Sequence, residues 1–380
     1  MKKKILEFEK YLINLDVKKI IFLFFLVITI KVGFWYHPAL WKLLEISINP
    51  FSESLVENIY AHYLFYNFFG GYIANILNIS TKFSFFIFHL FFSFVFNFAF
   101  IYLIFKNLDK KNAIYSLTLF LIFPVSTTVF FWVGYDSITL SIIILSVLFR
   151  SYWLLVFIFG ILLGLQHFEL GFLSSISLLV LNIYNKIYSK KSFLDLRFSI
   201  ILVIGTIIGK IILHYYFYKI GLDLNTGRAW YTFSIIEHFL YNSYFNFYNI
   251  IWFSLSIGWL AIIKYFFSKN KNNFFLLILL VQLIIILIVD DQTRVYACLT
   301  FLILVSQIFF NKEFLQQIKS YEISILLLLW LIIPYGWVWQ GVLRTSMFTY
   351  DFAYILNYFF DIFNNTSINS SIIWPFKTFR

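Results

Sequence analysis

Residues 274–310 read FFLLILLVQLIIILIVDDQTRVYACLTFLILVSQIFF: two apolar runs, 274–289 and 295–310, that meet at a turn carrying Asp290, Asp291 and Arg294. At a helical rise of about 1.5 Å per residue each run spans about 24 Å, most of a hydrocarbon layer about 30 Å thick. A carboxylate at mid-bilayer costs about 2.5–3.5 kcal/mol on insertion scales, so a hairpin that turns on Asp-Asp turns at or near the interface. Because both runs are short, the turn is expected to be recessed. Asp291 and Arg294 then form either a self-neutralising cap or part of a polar floor under an outward-facing cavity.

The rest of the chain has the same character. Of its 380 residues 61% are hydrophobic and 12% charged, and 52 are Phe, which is more apolar surface than one soluble core can hide. Apolar stretches separated by short Lys/Asn-rich breaks predict spans at 17–36, 83–105, 113–133, 137–149, 153–168, 170–184, 198–217, 247–266, 274–289, 295–310 and 323–340. The fold class is therefore all-α, a polytopic transmembrane helical bundle of about eleven helices. Pro124 interrupts one of these spans, and 137–149 is short for a full crossing.

Lysines set the orientation. Lys18, Lys19, Lys106, Lys110, Lys111, Lys186, Lys190, Lys191, Lys264, Lys269 and Lys271 fall on one side, which the positive-inside rule makes cytoplasmic. That distribution explains most of the net charge of +11, and nucleic acid is not needed as a partner. The chain reads as a single integral-membrane domain over 1–380, with a cytoplasmic leader at 1–16 and an external tail at 341–380. The first apolar run leads into YHPALWK and not a small-residue cleavage site, so it is expected to stay as an anchor. One cysteine, Cys298, excludes a disulfide or a cysteine-based metal site within the chain.

Other polar groups fall at the same outer level as the Asp-Asp turn. Asp136 lies in FFWVGYDSITLSI (130–142), and Gln166, His167 and Glu169 lie in the outer hairpin LLGLQHFELGFLSS (162–175). The longest loop, 37–82, contains NPFSESLVENIYAHYLFYNFFGGYIANIL (49–77), whose pattern predicts amphipathic surface helices with Glu53, Glu57 and His62 near their polar faces. Each stretch alone reads as a polar turn or cap; together they favour a shared cavity. The outer arginines are Arg228 in DLNTGRAWY (223–231), Arg294, and Arg344 in YGWVWQGVLRTS (335–346). Guanidinium clamps phosphate oxygens well, and an interfacial belt explains aromatic residues such as Trp230 and Trp337, with stacking on sugars as the lesser alternative.

The order of parts resembles the GT-C superfamily of integral-membrane glycosyltransferases. The likeness lies in an anchor helix, a long outer loop with acids, a helix ending in KNLDKK (106–111), then LTLFLIFPVSTTVFFWVGYDSITLSIIILSVL (117–148) and FGILLGLQHFELGFLSSISLLVL (159–181). It covers roughly residues 17–185 and leaves 186–340 as variable C-terminal helices. It implies transfer of a sugar from a polyprenyl-phosphate donor to a cell-envelope glycan, lipid or protein acceptor, at the outer face of a bacterial inner membrane. It also implies an acidic catalytic residue in the first outer loop, often in a paired motif. Here Glu53 and Glu57 are separated by three residues, and the only adjacent acids are Asp290 and Asp291. Glu57 is the first choice for the base, Glu53 the second, with Asp136 a further catalytic candidate. His62, His167, Glu169, Arg228, Asp290, Asp291, Arg294 and Arg344 are candidates for substrate binding. Two carboxylates converging on phosphate oxygens would suit Mg²⁺ or Mn²⁺. Two other readings compete: a polymerase or ligase of lipid-linked oligosaccharides, and a transporter or flippase with Lys210 as its deep charge.

Overall fold

The computed structural model describes residues 11, 13–37, 39–48, 62–190, 192–219, 221, 240, 244, 247–269, 271–289, 291–333, 335–339, 342–346 and 376–378. Where lipid surrounds a chain, its backbone must be satisfied internally, and helices do this segment by segment. Among the described residues Lys82–Asn107, Trp153–Ile187, Leu196–Lys219 and Gln292–Phe309 are long and apolar enough to cross a membrane; counting each of two bent pairs as one span gives up to six. Phe22, Ile30, Phe91, Ile211 and Leu328 are exposed, as side chains that face lipid must be. The chain is an integral membrane protein with an α-helical body.

The Trp153–Ile187 helix is one element only by its hydrogen bonds. His167 leaves helical geometry (φ −160°, ψ 79°), and a Cβ on Gly171 would lie 2.5 Å from the Leu163 side chain, eight residues back. In a straight helix those positions are about 12 Å apart along the axis. The chain therefore doubles back at His167, where the sequence predicts an outer hairpin. The neighbouring Leu196–Lys219 helix supports this in both directions. It runs parallel to the first arm, with Gly160 against Gly205 and Gly164 against Gly209, and antiparallel to the second, with Glu169 beside Lys210 and Asn182 bonded to Ser199. The two Gly-xxx-Gly faces bring the backbones into contact: a Cβ on Gly164 or Gly209 would stand 2.2 Å from a carbonyl oxygen of the other helix.

Two expected spans differ from prediction. Residues 247–266 form Phe247–Leu255 and Gly258–Phe266, bent by 83° about Ser256, which holds a positive φ of 51°. Gly258 lies against the Phe123 ring, next to the break where Lys110–Ile122 and Pro124–Phe131 meet at 55°, so the two bends pack together. The last expected helix, 323–340, ends at Ile332. Pro334 cannot continue it, and β1 (Gly336–Trp339) follows, paired antiparallel with β2 (Val342–Ser346), which pairs in turn with β3 (Phe376–Thr378). The last helix is instead finished by the first: Lys31, buried near the end of Val17–Val32, donates to the carbonyls of Trp330, Leu331 and Ile333. A cation at a helix C-terminus satisfies its orphan carbonyls and complements its dipole.

The bundle has two polar ends. At one, Arg150 bonds Asn107 (2.9 Å), Asn272 bonds Asn185 (2.7 Å), and Lys190 reaches the Lys271 carbonyl (3.3 Å), so the lysine-bearing loops sit side by side. The Gln292–Phe309 helix closes there in a π-helical turn, Val305–Phe309, with Ser306 bonded to Ser192 and Gln307 accepting from Tyr265. The other end holds Asp291 and the His167 hairpin.

Candidate functional site

The site begins with backbone. Residues 35–37, just past the first helix, run parallel to 130–133: the Trp35 amide donates to the Phe130 carbonyl (3.0 Å), Val133 to Trp35 (2.8 Å) and His37 to Val133 (2.9 Å). Gly134 then starts the Tyr135–Leu148 helix, and a Cβ on it would stand 2.9 Å from that of His37. The chain thereby delivers Tyr135 and Asp136 to the first turn of a helix whose N-terminus lies near Asp291.

Arg294 joins the two. Its guanidinium donates to Asp291 through Nε, to Asp136 through Nη1 and to the Tyr135 hydroxyl through Nη2 (3.0 Å). Trp337 of β1 donates its indole N–H to the other Asp291 oxygen, and the Val338 amide bonds the Thr293 hydroxyl (3.0 Å). All three ionisable groups are buried, at 3% exposure for Asp136, 8% for Asp291 and 6% for Arg294. Two carboxylates against one guanidinium leave a formal charge of −1. Asp136 lies in the first turn of its helix and Asp291 is the N-cap of the Gln292 helix, so two helix N-termini, each equivalent to about +0.5 charge, offset it.

His37 lies beside this cluster. Its Nδ1 accepts from the Ala39 amide (3.1 Å), which puts the ring proton on Nε2, 3.5 Å from the Tyr135 hydroxyl. Burial, with the Arg294 guanidinium and His89 nearby, holds His37 well below the usual imidazole value. It is neutral at neutral pH.

A second group forms at the His167 hairpin. Glu169 lies 3.7 Å from Lys210, whose ammonium sits over the Tyr66 ring (3.7 Å) and near Phe168 (5.1 Å). The Leu170 amide lies 3.4 Å from His167 Nδ1, which also lies 3.9 Å from Glu169. Gln166 ties the groups together by accepting from the Gly70 amide (2.7 Å) and donating to the Tyr135 carbonyl (3.3 Å).

The structure thus gathers Asp136, Asp291 and Arg294 in one cluster and His167 and Glu169 in a neighbouring one. Glu53, Glu57, Arg228 and Asp290 lie outside the described residues. His62 opens the short His62–Phe65 helix and Arg344 is paired with Trp337 and Thr378 in the sheet, but their side chains also lie outside the description. Sequence reading did not single out His37 or Tyr135, and took Trp337 for a belt or stacking residue. The local signals that pointed here were Asp136 at the start of its apolar run and Asp291 three residues before Arg294. Among the described residues no three His, Cys, Asp or Glu side chains gather as a metal site. Between Asp136 and Asp291 the Arg294 guanidinium takes the place that a divalent cation would need, so this pair does not fit Mg²⁺ or Mn²⁺. No known family model, curated protein or solved structure matches the chain.

Proposed function

We propose that the chain is a membrane glycosyltransferase of the GT-C kind, moving a sugar from a polyprenyl-phosphate donor to a cell-envelope glycan, lipid or protein acceptor. One observation supports it most: Asp136, Asp291 and Arg294, all buried, meet at the end of the bundle opposite the lysine-bearing loops. Chemistry on a lipid phosphate belongs at headgroup level, whereas a transport pathway asks for ionisable groups near the midplane.

In this reading the lysine end is cytoplasmic, the acidic end and C-terminus face outward, and the chain crosses a bacterial inner membrane about eleven times. Glu57, with Glu53 near it, takes the proton of the acceptor hydroxyl. Arg294 is a positioning residue: it holds Asp136 and Asp291 in place, and a phosphate reaching it would have to displace an acid. Turnover of polyprenyl-phosphate sugars by purified protein, lost in Glu57→Gln, is the expected result. A wild-type protein inert across a broad donor panel would refute the reading. Single-residue products exclude a polymerase, which would give a ladder.

A further inference from the structure

Away from the acidic end, a cleft of about 220 Å³ opens between the helices Gly258–Phe266 and Ser320–Ile332. Leu260 and Ala261 form one wall, Ile325 and Leu326 the other, and Leu119 and Phe314 line it between them. Its apolar surface runs out onto exposed Ile263, Ile325 and Leu328, so the cleft is continuous with the lipid-facing side of the bundle. Lys264 and Glu322 also line it, paired at 2.7 Å.

We propose that this cleft binds one acyl chain of an anionic membrane phospholipid, with the headgroup held by the lysines at its rim. The charge pattern decides the headgroup. Glu322 is engaged at both oxygens, by Lys264 and by the Lys319 amide (2.8 Å). The Lys269 amide is joined to Gln317 (3.4 Å), which brings the loop carrying Lys269 next to Lys319 at this rim. Lys264, Lys269 and Lys319 thus come to one rim with a single acid, Glu322, among them, while on the neighbouring Lys312–Gln317 helix Lys312 lies within charge range of Asp109 and Glu313 is acidic. A basic rim above an apolar crevice between helices selects a lipid by its negative headgroup and holds it by its chain. A zwitterionic lipid would gain only the chain contacts.

The test uses purified full-length protein in detergent, titrated with dioleoyl phosphatidylglycerol or dioleoyl phosphatidylcholine, with retained lipid counted by native mass spectrometry. One copy of phosphatidylglycerol is expected to bind in preference to phosphatidylcholine. Lys269→Gln with Lys319→Gln should weaken phosphatidylglycerol about tenfold and leave phosphatidylcholine unchanged. Glu322→Gln should strengthen it, because glutamine still caps the helix while Lys264 is released from its acid. Leu326→Trp, or Leu260→Trp from the opposite wall, should remove the bound lipid while the melting temperature shows the protein folded. Equal binding of the two lipids, or phosphatidylglycerol binding unchanged in the lysine pair or in a folded wall variant, overturns the proposal. If a wall variant fails to fold, the lysine pair and Glu322→Gln, which leave the walls intact, decide alone.

Discussion

The Gln292–Phe309 helix is tied into the bundle at both ends, by different chemistry. Its start is held by charge: Arg294 between Asp136 and Asp291, with Tyr135 and Trp337 completing the shell. Its end is held by neutral groups: Gln307 accepts from Tyr265 (3.3 Å) and from Asn272 (3.5 Å), and Ser306 bonds Ser192 (2.7 Å). Amide and hydroxyl contacts between membrane helices are graded, each worth about 0.6 kcal/mol on average, and losing one leaves the others standing. A buried charge cluster behaves as a unit, because removing one member strands the others in low dielectric.

The sharpest break in this contrast is Arg294→Leu, which leaves two carboxylates facing each other in the interior. A loss of about 3–5 kcal/mol is expected, read as a collapse in folded yield and melting temperature in detergent. If charge is the cause, Asp136→Asn and Asp291→Asn added to Arg294→Leu should restore folded protein; no recovery would mean that shape, and not charge, governs that end. Next in size is Gly164→Val, between the two ends, where a side chain must enter the backbone contact with Gly209; about 1–3 kcal/mol is expected by the same measurement. Asp291→Asn alone, with Arg294 still paired to Asp136, should cost about 1–2 kcal/mol and lower turnover. At the neutral end Gln307→Leu should cost about 1 kcal/mol or less; a loss matching that of Arg294→Leu would erase the distinction. The smallest effect belongs to the part-exposed Lys264–Glu322 pair, where Lys264→Gln should shift stability by less than about 1 kcal/mol.

The sequence makes some of this legible and not the rest, for physical reasons. The hairpin at His167 is readable because Gln166, His167 and Glu169 interrupt an apolar run too long for one crossing. The pairing of Asp291 with Arg294 is readable because it is local, three residues along one turn. Asp136 is also readable as an outer acid, but its partner is 158 residues away, and no periodicity encodes which two helix N-termini will converge. The break at Ser256 carries no proline and was missed, whereas Pro124 announced its own. The strand pair at 336–346 does carry a signal: Pro334 stops the helix, and Gln340 and Gly341 separate two short runs. The aromatic residues there were credited to the interface instead, which hid the role of Trp337.

The Lys31 cap on the Ser320–Ile332 helix bears on how the protein is made. Lys31 and Ile333 are 302 positions apart, so at about 5–20 residues per second the ribosome needs about 15–60 s between one and the other. This cap cannot form during most of the protein's own translation. The first helix already meets Phe130 through Phe25, but the Lys31 contact forms only after the Ser320–Ile332 helix has emerged. A chain that ended before Trp330 would lack every carbonyl that Lys31 caps, and would keep that ammonium buried without the helix end it neutralises.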